Sequence, residues 1–231
     1  MLKLMKLEMK KFKIAGSIKG VLIANLIILA LLVLIPLGSK TDGDIAFKGY
    51  SDMFLVTSTF VKATFSIFAA VLISRLIIGE YTNKTITLMF MYPIKRKNIM
   101  LAKLTIVVIF TFISMVISNI FLNCCMYFFN SFAKLFTDTL TVDMVVKNII
   151  SIFVYSIGYS FLSLIPIYVG MKKKSTSATI VTSVILSSVL NGSFNGSSLS
   201  SIIIIPLILG IIGAVISYMA IKNVEDADVI N

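Results

Sequence analysis

The stretch LTIVVIFTFISMVISNIFLNCCMYF, Leu104–Phe128, carries no charged residue. A helix that crosses about 30 Å of hydrocarbon needs about 20 mostly apolar residues at 1.5 Å per residue. This stretch meets that length without interruption. Five further runs read the same way: Gly20–Leu37, Phe54–Ile78, Asn148–Met171, Thr176–Leu190 and Ile202–Ile221. Thr176–Leu190 is the shortest and is rich in Ser and Thr. Apolar residues fill 58% of the 231 positions and the mean hydropathy is +1.02, more than a water-soluble core requires. The expectation is an all-α integral membrane protein with six transmembrane helices. A single membrane domain covers 1–231, with the spans over 20–221 and a solvated tail at 222–231.

Lysine and arginine near the spans set the orientation, because they collect on the cytoplasmic side. Six Lys precede the first span, and the 75–103 region adds Arg75, Lys84, Lys95, Arg96, Lys97 and Lys103. With Lys172, Lys173, Lys174 and Lys222, sixteen of the 21 basic residues fall on one side. The opposite loops hold Lys40, Lys48, Lys134 and Lys147, outnumbered by five Asp. Both termini are therefore expected in the cytosol. The net charge of +11 follows from topology and anionic lipid. Nucleic-acid binding would need a basic soluble domain, and the spans leave no room for one. A cleaved signal peptide is the competing reading of the first run. That run is longer than a usual apolar signal core, and Pro36-Leu37-Gly38-Ser39-Lys40 is a poor cleavage site, so retention as a span is expected.

Residues 1–19 read as a helix lying on the membrane. Lys3, Lys6, Lys10 and Lys13 form one basic stripe, flanked by Leu2, Met5, Met9 and Phe12 on one side and Leu4, Leu7, Ile14 and Ile18 on the other. Apolar flanks enter the headgroup boundary while the Lys tips reach phosphate.

Several chemistries are excluded. Without histidine, Ser–His and Cys–His catalysis, the His-x-x-x-His zinc proteases and most zinc sites drop out. All ten acidic residues lie in loops or tails, which removes intramembrane aspartyl proteolysis and a carboxylate proton relay. Gly170-Met171-Lys172-Lys173-Lys174-Ser175-Thr176 lacks the second glycine and the strand–loop–helix setting of a phosphate loop. Adjacent Cys124 and Cys125 read as small apolar fillers, since a disulfide between neighbours is strained. The chain is not expected to be an enzyme or to hold a cofactor or metal.

Within the spans, polar residues have two readings each. Lys62 is either a cation facing a substrate path or the outer-interface residue of a span whose apolar part starts at Ala63; the cost of a buried cation favours the second. Asn119 and Asn123, on a face with Met115 and Met126, either line a path or bond a neighbouring helix, with packing favoured. Ser156, Ser160 and Ser163 permit close helix contact, and Pro166 should bend the fourth span. Asn191–Ser201 reads as a flexible turn.

The loop after the second span, 79–97, is distinctive. Thr82 or Asn83 can cap a short helix that Pro93 ends, and Ile86, Met89 and Phe90 form an apolar patch on it at i, i+3, i+4. Glu80 suits the positive end of that helix. Such a patch in a basic loop either dips into lipid or docks on another protein. The order Gly79-Glu80, Thr85, Pro93-x-x-Arg96-x-x-Ile99-x-x-x-Lys103 resembles the coupling loop of ATP-binding-cassette type-2 permeases. That family also has a basic amphipathic N-terminal helix and six spans. Lys84 stands where the family often has Gly before the Thr, and the connection between spans five and six is shorter than in many relatives.

The resemblance implies a separate cytosolic ATPase that binds ATP and Mg and receives this loop. Ile86, Met89 and Phe90 would anchor it, with Glu80, Thr85, Pro93 and Arg96 beside them. A second permease, identical or related, would complete the pathway. The small size and the absence of an extracellular domain are similar to permeases that protect bacteria against lantibiotics or bacitracin-like peptides. This implies an exporter that removes an amphipathic peptide or antibiotic. The rival reading is a membrane-embedded immunity or sensor protein that binds a peptide without moving it.

Overall fold

The computed structural model of the chain describes Met5, Glu8, 15–42, Phe47, 49–82, 96–133, 140–194, 197–198 and 204–222. Helix α1 is Ala15–Asp42, and α2, Tyr50–Ile73, runs through a π-helical turn, Ser74–Ile78, into α3, Gly79–Thr82. Then come α4, Arg96–Ala133, α5, Val142–Leu162, α6, Pro166–Lys173, and α7, Thr176–Asn191. A small antiparallel hairpin, β1 Ser193–Phe194 and β2 Ser197–Ser198, precedes α8, Ile204–Lys222. Five stretches among the described residues are long and apolar enough to cross a membrane: Gly16–Pro36, Tyr50–Ile78, Lys97–Ala133, Val142–Lys173 and Ile204–Ile221. Helix α7 has 16 residues, about 24 Å of rise, and falls short of a full hydrocarbon core.

The helices outrun the apolar windows. Helix α4 has 38 residues where the sequence marks Leu104–Phe128, and α1 has 28. Hydropathy reports the slab of lipid, whereas a helix continues into polar surroundings until its backbone bonds are interrupted. The connection 191–201, expected as a turn, contains the hairpin, with Ser193 opposite Ser198 and Phe194 opposite Ser197.

Pro166 breaks the fourth span as expected. It has no N–H to give to the carbonyl of Leu162, so the chain tightens ahead of it. Leu164 bonds Phe161 and Ile165 bonds Leu162, both at 3.0 Å and in the i−3 pattern of a 3₁₀ turn. Helix α6 then starts with Pro at its first turn, where the missing donor costs nothing. Lys174 ends α6 in the left-handed region, φ 46°, and the Ser175 hydroxyl caps α7 by accepting from the Ala178 N–H. These two residues reverse the chain and set α6 against α7. Gly170 is required there, because a Cβ would strike the Thr179 hydroxyl.

Helices α5 and α8 run side by side in the same direction at backbone contact. A Cβ on Gly158 would lie 3.0 Å from the Pro206 carbonyl oxygen, and one on Gly210 would lie 2.8 Å from that of Gly158. One on Gly213 would run into the Phe161 carbonyl. Without water to drive helices together, such close approach supplies the packing energy. Ser156, Ser160 and Ser163 are buried along α5 and the turn after it. Among the described residues two apolar cores result. One, at the basic end that carries the 83–95 connection and Lys172–Lys174, gathers Ile73, Ile77, Leu104, Val107, Leu164 and Ile167. The other, toward the opposite end, gathers Leu32, Met53, Phe65, Met115, Leu122 and Tyr159.

Gly213→Ala should lower the stability of the detergent-solubilised protein by about 1–3 kcal/mol through overpacking. Gly16→Ala, with nothing within 4 Å of its Cβ, should be neutral or stabilising by up to about 1 kcal/mol from helix propensity. Thermal melts of the two variants should therefore shift in opposite directions or differ clearly in size.

Candidate functional site

The π-helical turn Ser74–Ile78 throws the backbone ladder of α2 out of the i−4 register, a feature common where a helix serves a site. The carbonyl of Leu76 in this turn accepts a hydrogen bond from Lys103 Nζ at 2.9 Å. Lys103 stands two turns into α4 and is 1% exposed. The same ammonium forms an ion pair and hydrogen bond with Glu80, two residues beyond the π segment. Glu8 of the N-terminal segment approaches it at 3.8 Å. Both carboxylates are buried. One cation thus joins the exit of α2, the entry of α4 and the segment before α1.

This arrangement closes the base of the 79–97 loop: Glu80 precedes 83–95 and Lys103 follows it. Glu80 is 7% exposed and faces into the protein. Arg96 opens α4, but its side chain lies outside the described residues, as do Thr85, Ile86, Met89, Phe90 and Pro93. Sequence reasoning counted Lys103 only as a charge and as the last position of the loop pattern. Glu8 went unread; its signal was being the one acidic residue among the six Lys of 1–19.

The second group of expected residues separates. Lys62 is 5% exposed and its Nζ sits 3.9 Å from the centre of the Tyr155 ring and 5.8 Å from that of Tyr159. It lines a cavity of about 430 Å³ between the N-terminal turns of α2 and α5. Asn119 and Asn123 are not on that lining. The Asn119 side chain donates to the Met115 carbonyl of its own helix at 3.0 Å. The side-chain oxygens of Asn119 and Asn123 accept no hydrogen bond among the described residues. Among the described residues no group of three His, Cys, Asp or Glu is placed to hold an ion.

A helical, multi-pass chain whose spans carry a buried polar clamp at the base of an intervening loop is built as an integral membrane protein. Comparison with known families makes that specific: the family described as ABC-2 family transporter protein matches residues 4–191, and the chain belongs to it. Members of this family are the permease components of ABC transporters, are not themselves catalytic, and normally work with a cytosolic ATPase. The chain is also similar to the protein described as uncharacterized protein YcbO of Bacillus subtilis (strain 168), 39% identical over 97% of this chain and 99% of that one. No solved structure matches.

Lys103→Met leaves two buried carboxylates without their cation and should destabilise the protein by about 3–5 kcal/mol. Adding Glu80→Gln should restore part of that loss, since replacing both members of a buried pair is far milder than removing one. Melting curves of the single and double variants check this; additive losses would show that the two side chains are not coupled.

Proposed function

We propose that this chain is the permease subunit of an ATP-driven exporter in a bacterial plasma membrane, both termini cytosolic, driven through the 79–97 loop by a separate ATPase. The observation that carries the reading is the Glu80–Lys103–Glu8 clamp. Because the cation ties α2 to α4 at the loop's base, a push on the loop is delivered to two spans at once rather than absorbed by hinge motion. Glu80 then serves by holding that base. Docking falls to the patch of Ile86, Met89 and Phe90 with Thr85, Pro93 and Arg96, the apolar and polar groups that a groove on a partner would recognise. ATP and Mg are bound by the partner, and the permease brings no cofactor of its own.

The outward apolar faces of α1 and α8, including Leu22, Leu26 and Ile211, support burial in lipid or against a second permease, identical or related. The basic N-terminal stripe supports contact with anionic headgroups. For cargo, an amphipathic compound such as a membrane-active peptide or antibiotic suits spans rich in Phe and Met, which adapt to varied shapes.

Tagged protein purified in mild detergent from its native host should bring down an ATPase with a phosphate-binding loop. Met89→Asp with Phe90→Asp should abolish that recovery while membrane insertion is unchanged. A monodisperse wild-type sample that yields no ATPase would instead favour the stand-alone immunity or sensor protein.

A further inference from the structure

We propose that the cavity between the N-terminal turns of α2 and α5 binds the anionic head group, phosphate or carboxylate, of an amphiphile whose tail stays in the membrane. The proposal deepens the exporter reading and rests on it only for the ligand's fate; binding itself needs no ATPase.

The lining is built with a regular pattern. Ser51, Phe54, Leu55, Ser58, Thr59 and Lys62 on α2 follow i, i+3, i+4, i+7, i+8, i+11. The α5 side, from Met144 to Tyr155, repeats that spacing. Two helical stripes of about 16 Å each therefore face one another. Among the described residues the shorter helices stop below the gap. The Tyr159 hydroxyl donates to Asn191, the last residue of α7, at 3.2 Å. Gly158 meets Pro206 in the first turn of α8. At the level of Lys62 and its tyrosines both α7 and α8 reach their ends, and α2 and α5 run on without them.

The chemistry of the lining selects an anion. It holds two lysines, Lys62 and Lys147, and no carboxylate. Lys62 is buried, and among the described residues no hydrogen bond or ion pair engages its ammonium; the Tyr155 ring is its close contact. A ring face steadies a cation but leaves its three N–H donors available. The Ser58 and Thr59 hydroxyls donate to the Leu55 carbonyl at 2.9 Å, so their protons are not offered to an anion and the lysines carry its recognition. Asn148 and Ser151 add donors on the facing stripe, while Phe54, Leu55 and Ile152 supply apolar wall. Asp52 and Asp143 stand on the same terminal turns but do not line the space. A buried cation without a counter-charge is costly, and an incoming phosphate or carboxylate would offset that cost with charge-assisted hydrogen bonds.

The test is direct titration of the full chain in maltoside detergent with dodecyl phosphate, dodecyltrimethylammonium, inorganic phosphate, phosphatidylglycerol and phosphatidylcholine. Calorimetry supplies the affinity. Dodecyl phosphate should bind and dodecyltrimethylammonium should not. Lys62→Met should weaken dodecyl phosphate by about tenfold or more, while the ligand-free variant melts higher than wild type because a lone buried charge is gone. Lys147→Glu, at an exposed position, should also weaken binding and covers the case of a misfolded Lys62 variant. Lys172→Met, at the basic end, should change nothing. Displacement by phosphatidylglycerol and not by phosphatidylcholine assigns the site to a lipid headgroup; binding of dodecyl phosphate that neither lipid displaces assigns it to a single-chain cargo. Inorganic phosphate binding as tightly as dodecyl phosphate overturns the amphiphile. Unchanged affinity in Lys62→Met or Lys147→Glu, or equal binding of the cationic detergent, overturns the anion site. None of these outcomes depends on ATPase recovery, so the two readings fail separately.

Discussion

A single buried ammonium group holds the basic end of the molecule together. Lys103 reaches from α4 to the Leu76 carbonyl in the π turn and to Glu80 just past it, with Glu8 close by. Taking a cation and two carboxylates out of water costs several kcal/mol per ion, and only good geometry with extra hydrogen bonds offsets it. The π turn contributes to that geometry, since it brings a backbone carbonyl and the following carboxylate to the same ammonium. An apolar replacement of the whole group would satisfy stability equally well. What an ion cluster adds is direction and register: it fixes which turn of α2 faces which turn of α4. That constraint is what the proposed coupling role of the 79–97 loop requires.

Packing differs between the two ends for reasons visible in individual residues. Near the basic end Gly170 admits the Thr179 hydroxyl, while Gly158, Gly210 and Gly213, strung along α5 and α8 from the start of α8 to its middle, let those helices touch through their backbones. Ser183 of α7 donates to the Ser66 carbonyl of α2 at 3.1 Å, so α7 is keyed to α2 as well. Toward the opposite end α7 and α8 have stopped, and α2, α4 and α5 carry the fold with larger side chains. Tyr50 packs against Tyr127 at 6.2 Å and accepts a hydrogen bond from Asn130. Close packing is stiff and incompressible. The glycine contacts suit α5 and α8 to moving as a unit, and the cavity begins about one turn beyond Gly158, where those contacts end.

Much of the architecture was legible because one solvent wrote it. The apolar runs located the spans, the shortness of Thr176–Leu190 anticipated the 16 residues of α7, and Pro166 marked the break after Leu162. Helix ends were less legible, since Arg96–Ala133 continues well past its apolar window. The hairpin in 191–201 was hidden because Ser, Gly and Asn suit many turn types. The clamp was illegible for a different reason: Glu8, Glu80 and Lys103 are far apart in sequence, and periodicity speaks only within one element. For Asn119 the sequence offered a neighbouring helix as partner, yet its own Met115 carbonyl takes the bond. An amide on a helix always has that local acceptor at hand.

Lys62 and Lys103 are two buried lysines with opposite surroundings, and the contrast is the strongest guide to what each does. Lys103 has its charge balanced by two acidic side chains and a carbonyl. Its bonding is spent inside the protein, as befits a tie between segments. Lys62 faces a cavity with a tyrosine ring beside it and a second lysine on the opposite stripe. Desolvation opposes both placements, and they differ in what restores the lost hydration. At Lys103 the fold supplies it. At Lys62 the fold supplies a ring face and an open space without a carboxylate on its lining, and the remaining share must come from whatever enters that space.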